Sequence, residues 1–355
     1  LTMQTRTRRF LWLLLTSITL LLAGCLTPQA APTPTPAPTS TPTPLLPIEK
    51  YSLLVDEYFY GAAWSPDSTM LAISGRFDEQ RGISLFVLGF DQPKWIKEEE
   101  MVSSITFSTD GKYIVYALKN NTLNFLDVET GEKVREIPGE KNCVGKDTNS
   151  AIFARENNYY TVSFGYTRPP YPFESELAVW NSDTNSCQVI AWALGLPALT
   201  LDLNHDDFLL LNLSSLSGAG QSEVQVWNTQ TGLRTCAVTS PDYDNGFRGV
   251  LHPTQNEMIV SSQEGRVLWD VTTCEVIQVI SDTNDGSVEA FAPTGNRYVM
   301  YDDGALTIWD AHTHAPLNRI TTPGLGSVLF DPSGSYLLGV FGGSPQTLVV
   351  WQLEP

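Results

Sequence analysis

The sequence predicts an all-β fold assembled from small antiparallel sheets in repeat. Three observations carry this reading. From Glu49 onward no apolar periodicity of helical length appears; short apolar runs alternate with turn-forming residues; and two interleaved sets of motifs recur along the chain. The 355 residues, 42% of them hydrophobic, are enough for one large core or two ordinary ones. A formal charge of -18 opposes any role that depends on neutralising phosphates, so nucleic acid is not an expected partner.

Taken in order, the first element is an address. Arg6, Arg8 and Arg9 precede an uncharged apolar run from Phe10 to Leu22, which is too short to span a bilayer comfortably. The run ends in Leu22-Ala23-Gly24-Cys25, which resembles the lipobox of bacterial lipoproteins. That resemblance implies a signal peptide over residues 1–24 and an acylated, palmitate-type lipid anchor on Cys25. The body is then expected outside the cytoplasm, tied to a membrane of the cell envelope. Which membrane stays open. Removing residues 1–24 leaves 18 bases against 39 acids, a net charge of -21.

The second element, residues 25–48, is the lipidated cysteine and a spacer. Thr27 to Pro47 reads TPQAAPTPTPAPTSTPTPLLP. Alternating proline removes amide donors and fixes φ, which favours a stiff extended chain. At roughly 3.1 Å per residue it would reach about 60 Å.

The third element, residues 49–355, holds the repeats. One set begins at Trp64-Ser65-Pro66-Asp67, Phe107-Ser108-Thr109-Asp110, Phe291-Ala292-Pro293-Thr294 and Phe330-Asp331-Pro332-Ser333, with weaker copies at Phe153, Leu203 and Leu251. Successive spacings are 43, 46, 50, 48, 40 and 39 residues. The second set ends a β-like alternation in an aromatic and a polar residue: Trp180-Asn181, Trp227-Asn228, Trp269-Asp270, Trp309-Asp310 and Trp351-Gln352, with weakened forms at Leu126-Asp127 and Phe86-Val87.

These motifs resemble those of the WD-repeat β-propellers over roughly residues 51–355. The resemblance implies seven four-stranded antiparallel blades of about 44 residues. The aromatics are expected to fill the wedges between blades, leaving only Trp95 and Trp192 for other tasks. The last repeat stops at its third strand, so Tyr51 to Val55 is expected to complete it and close the ring. Only two rungs are true Trp-Asp and no Gly-His dipeptide occurs, which puts the sub-family in doubt.

Such a fold hosts binding and catalysis alike, so function rests on its sites. The expected role is a non-catalytic protein-interaction scaffold or recognition module, monomeric, with no required cofactor. The partner surface is assigned to Tyr166, Arg168, Tyr171 and Phe173, on a proline-stiffened loop, together with Trp192 beside it. Stiff aromatics also suit sugar rings, so a carbohydrate or small ligand is the alternative. A local cap over the propeller mouth is the third reading.

An enzyme using loop carboxylates is less favoured because no catalytic motif is complete. All four His fall on the short-turn side, and His312-x-His314 is expected to be a pair of exposed turn residues. No metal site is expected, although Asp242, Asp244, Asp282 and Asp285 are weak calcium candidates whose spacing departs from an EF-hand. Asp202, Arg248 and Glu289 interrupt apolar first strands and should pair or meet water near the central channel. Cys143, Cys187, Cys236 and Cys274 remain after lipidation. The last three fall in or just before the outer strands of successive blades, at separations expected to exceed disulfide reach, so mostly free thiols or at most one bridge are expected.

Overall fold

The computed structural model describes residues 53–353 apart from 78, 91, 100–101, 119–121, 139–150, 156–157, 166–173, 182, 185, 195–197, 204–207, 214–221, 241–246, 284–285 and 344. The ordered elements are strands, with no helix among the described residues. The chain opens with β1 (Leu53–Trp64), β2 (Met70–Phe77), β3 (Gln80–Val87) and β4 (Trp95–Glu98). β5 (Val102–Phe107), β6 (Tyr113–Leu118), β7 (Leu123–Asp127) and β8 (Lys133–Ile137) form the next antiparallel sheet. Then come β9 (Ala151–Arg155), β10 (Asn158–Gly165), β11 (Glu174–Asn181) and β12 (Ser186–Leu194). β13 (Ala198–Leu203), β14 (Phe208–Leu213), β15 (Ser222–Asn228) and β16 (Leu233–Ser240) follow. β17 (Arg248–Leu251), β18 (Glu257–Ser262), β19 (Gly265–Asp270) and β20 (Glu275–Ser281) form another sheet. β21 (Ser287–Phe291), β22 (Arg297–Asp302), β23 (Ala305–Asp310) and β24 (Pro316–Thr321) form a further one. The chain closes with β25 (Leu325–Phe330), β26 (Tyr336–Phe341) and β27 (Gln346–Gln352).

Five sheets have four strands each, and a sixth runs β25-β26-β27-β1-β2-β3-β4. In the sixth, β1 serves two neighbours. Leu53, Leu54 and Val55 pair with Leu348, Thr347 and Gln346, whereas Asp56 to Trp64 pairs with β2 after register shifts near Phe59.

Both motif sets mark strand ends, for local reasons. At the end of β1, β5, β17, β21 and β25 the next amide (Ser65, Ser108, His252, Ala292, Asp331) donates to the carbonyl five residues on, at 2.8–3.1 Å. Ser65 and Ser108 reinforce their turns by donating to Asp67 and Asp110 while accepting the Met70 and Tyr113 amides. At the end of the third strands, Asp127, Asn181, Asn228, Asp270 and Asp310 each accept the amides two and three residues on, at 2.7–3.2 Å. A short polar side chain there satisfies donors that the turn would otherwise leave open.

The core is a series of layers between sheets. Ala72, Ile83 and Leu85 pack against Ile105, Ile114 and Tyr116, and Val224 and Val226 against Leu251 and Met258. Another layer joins the two ends of the described chain: Trp64, Leu71 and Ile73 pack against Leu338, Leu348 and Val350. Because a central strand is covered on both faces, its residues are apolar without alternation, as in FLLLNL of β14, buried throughout.

The motif aromatics divide. Trp64, Trp180 and Trp351 are buried, but Trp227, Trp269 and Trp309 stay partly open. Trp95 is not free, contrary to expectation. Its ring lies over Gly131, and its Nε1 donates to Val128 O at 2.9 Å, so it joins β4 to the turn after β7.

Candidate interaction surface

In a four-stranded antiparallel sheet the second-to-third connection lies at the same end as the chain's entry and exit, and the two other turns lie opposite. Gly165 of β10 pairs with Glu174 of β11, which pairs with Leu194 of β12. The segment 166–173, carrying Tyr166, Arg168, Tyr171 and Phe173, therefore leaves from that end but lies outside the described residues. Trp192 belongs to β12 rather than to a loop and is paired with Glu176 near the same hairpin end. Among the described residues, the Gly165–Glu174 pair and Trp192 lie at one end of one sheet.

Of the calcium candidates, Asp242, Asp244 and Asp285 lie outside the described residues, and Asp282 is an exposed residue following β20. No grouping of three or more His, Cys, Asp or Glu suited to a metal occurs among the described residues. Cys25 and Cys143 are likewise outside them.

Three charges on first strands tie neighbouring sheets together. Arg248 Nη1 meets Glu289 Oε2 at 2.6 Å, joining β17 to β21, and Ser287 donates to the other Glu289 oxygen at 2.5 Å. Asp202 accepts the Leu251 amide at 2.9 Å, joining β13 to β17. A half-buried charge with hydrogen bonds of this kind is a structural brace.

On the opposite end the histidines serve packing. His252 is buried; its Nδ1 accepts the Thr254 and Gln255 amides at 3.2 and 3.1 Å, so its Nε2 donates to Gly295 O at 3.0 Å. The ring is neutral and fully engaged. His314 is not an exposed turn residue but half-buried against the Tyr298 ring, 6.0 Å between centroids. His205 lies outside the described residues.

Burial holds both imidazoles below their ordinary 6.5, the nearby Arg266 charge adding to the effect at His314. These two rings therefore bind fewer protons in the folded than in the unfolded chain below about pH 6.5, and the stability they contribute above that value is lost as pH falls. The turn amides of Thr130, Thr273 and Thr313 hold Asp127, Asp270 and Asp310 below 3.8, so those carboxylates act only at lower pH. The melting temperature is expected to fall from pH 7 to 5, and His252→Asn to flatten that slope. A pH-independent melting temperature in the parent chain contradicts this.

One bridge lies within the sequence expectation, but it joins a pair read as too distant. Cys236 and Cys274 form a disulfide with Cα atoms 4.9 Å apart. Cys236 on β16 is buried toward the neighbouring sheet. Cys274 precedes β20 at a left-handed turn position with φ 58°, the place that Gly131 and Gly232 occupy in the equivalent turns. The turn, not the strand, brings the two sulfurs within reach.

Residues 62–148 match the family model of the anaphase-promoting complex subunit 4 WD40 domain. The match runs from the last three residues of β1 to beyond β8, and the chain carries WD-repeat-like β-structure.

Proposed function

We propose that the chain is a closed seven-bladed propeller acting as a non-catalytic protein-interaction scaffold, exported and held to a bacterial membrane by a lipid on Cys25. The WD40 match carries the scaffold reading, because WD40 domains generally mediate protein contacts. Seven blades follow if the seven-stranded sheet is counted as two that meet within β1.

Closure is supported by three links between chain ends. These are the Leu53–Val55 pairing with β27, the Ser333 amide donating to Ser68 Oγ at 3.2 Å, and Trp64 Nε1 donating to Leu329 O at 3.3 Å. Export is supported by the signal-like segment and by the Cys236–Cys274 bridge, since disulfides persist in oxidising compartments.

The test expresses the full chain in an exporting bacterial host with a photo-crosslinking residue at Tyr166 or Phe173. The expected products are a detergent-phase protein that Cys25→Ser shifts to the aqueous phase, and one discrete protein adduct. A Cys25→Ser chain still in the detergent phase overturns the anchor. Binding to a glycan array with no protein adduct replaces the scaffold by the carbohydrate reading.

A further inference from the structure

β20 is the outermost strand of its sheet, and among the described strands it is hydrogen-bonded to β19 alone. Its sequence, EVIQVIS, has no base and no proline, and Val276, Ile277 and Val279 are 50%, 48% and 60% exposed. Edge strands are normally blunted by charge or proline. Four of the other outer strands follow that rule, with Lys97 on β4, Lys133 and Arg135 on β8, Arg234 on β16, and Pro316 and Arg319 on β24, whereas β12, SCQVIAWAL, carries neither. β20 carries one charge, Glu275 at its start, and is otherwise protected only by two register shifts against β19. Those shifts disfavour backbone pairing with a further strand but leave the apolar side chains open.

The strip has an acidic rim. Glu275 and Asp282 bound it in the chain and Glu264 lies in the turn before β19, all three exposed. The base on β19, Arg266, is buried with its guanidinium 4.1 Å from the Trp309 ring centre, and Arg234 on β16 pairs with Glu223 at 3.7 Å. The Cys236–Cys274 bridge fixes β16 beside the start of β20, and β16 itself opens with Leu233, 65% exposed. This is a rigid apolar surface ringed by uncompensated negative charge, not a scatter of single exposed residues.

We infer that β20 is a docking surface for an extended segment of another protein whose branched apolar side chains are flanked by Lys or Arg. Its apolar residues cover Val276, Ile277 and Val279, and its basic ends meet Glu275 and Asp282. Charge excludes a second copy of this chain as the occupant. Antiparallel self-pairing centred on Gln278 sets Glu275 against Ser281 and next to Asp282 of the other copy, and parallel pairing sets Glu275 beside Glu275. The inference rests on the scaffold reading only in taking a protein as partner, and it uses neither the lipid nor the aromatic loop.

The test is fluorescence polarisation of the purified full chain with two labelled peptides, Lys-Val-Thr-Val-Thr-Val-Lys and its Glu-flanked counterpart. The basic peptide is expected to bind about tenfold tighter or more. Ile277→Ser with Val279→Ser should remove about tenfold of that affinity, and Glu275→Gln with Asp282→Asn about threefold together with its salt dependence. All four side chains are exposed, so melting should stay near that of the parent; Val279→Thr alone serves if the double variant does not fold. Equal affinity for both peptides overturns the inference, as does binding untouched by the apolar variants. Concentration-dependent dimerisation abolished by the same variants also overturns it in favour of a second copy. Loss of peptide binding while the loop adduct survives retires this strip and leaves the scaffold standing.

Discussion

A chain lacking residues 49–57 is expected to melt about 5–10 °C lower than the parent and over a broader range, a loss of about 3–4 kcal/mol. The deletion removes the partners of Gln346, Thr347 and Leu348 and that of Arg76, leaving β27 as a bare edge. It also loosens the layer in which Trp64, Leu71 and Ile73 meet Leu338, Leu348 and Val350. In a chain of stacked units each sheet is stabilised by its two neighbours, so breaking one junction converts a ring into an array with two frayed ends. The broadening follows from that conversion, because the terminal sheets then unfold ahead of the rest. Differential scanning calorimetry reads both effects, and an unchanged transition contradicts closure.

Gly295→Ala is expected to cost about 3 kcal/mol, against about 1 kcal/mol for Gly324→Ala. Both glycines have left-handed φ, +74° and +81°. At Gly324 a Cβ meets nothing within 4 Å, so only the backbone cost applies. At Gly295 it would stand 2.5 Å from His252 Cε1 and 3.0 Å from Nε2. That ring cannot retreat without giving up the Gly295 carbonyl and the two amides on Nδ1, and Phe291 backs it at 5.0 Å between ring centres. Urea unfolding of the two variants separates packing from backbone strain, and equal losses would show that His252 does not staple the two turns.

The strand ends were legible in the sequence because their chemistry is local. Asp270 or Asn228 after a tryptophan accepts amides two and three residues on, and Ser65 or Ser108 closes a turn within five residues, so a short window contains all the partners. What was not legible depends on how sheets meet. Trp95 reads as spare because its acceptor, Val128 O, belongs to the next sheet. Cys236 and Cys274 read as too far apart because a left-handed turn residue, not a strand register, sets their separation. EVIQVIS follows Cys274 and reads as an outer strand, but its run of branched residues does not say how far Val276, Ile277 and Val279 are exposed. For the proposed aromatic surface the repeat pattern already put residues 166–173 and Trp192 side by side, whereas the membership of Trp192 in β12 came only from the register.

The turns after β1 and β25 meet at Ser68 and Ser333, and a cross-link there tests the closed propeller most directly. With Cys25, Cys143 and Cys187 replaced by Ser, the Ser68→Cys, Ser333→Cys chain is treated with a short thiol-to-thiol reagent and then nicked between the two positions. A closed ring predicts that the two ends stay covalently joined when the reaction is run on folded protein and separate when it is run in denaturant. Separation in both conditions, with both thiols shown to be reactive, would contradict it.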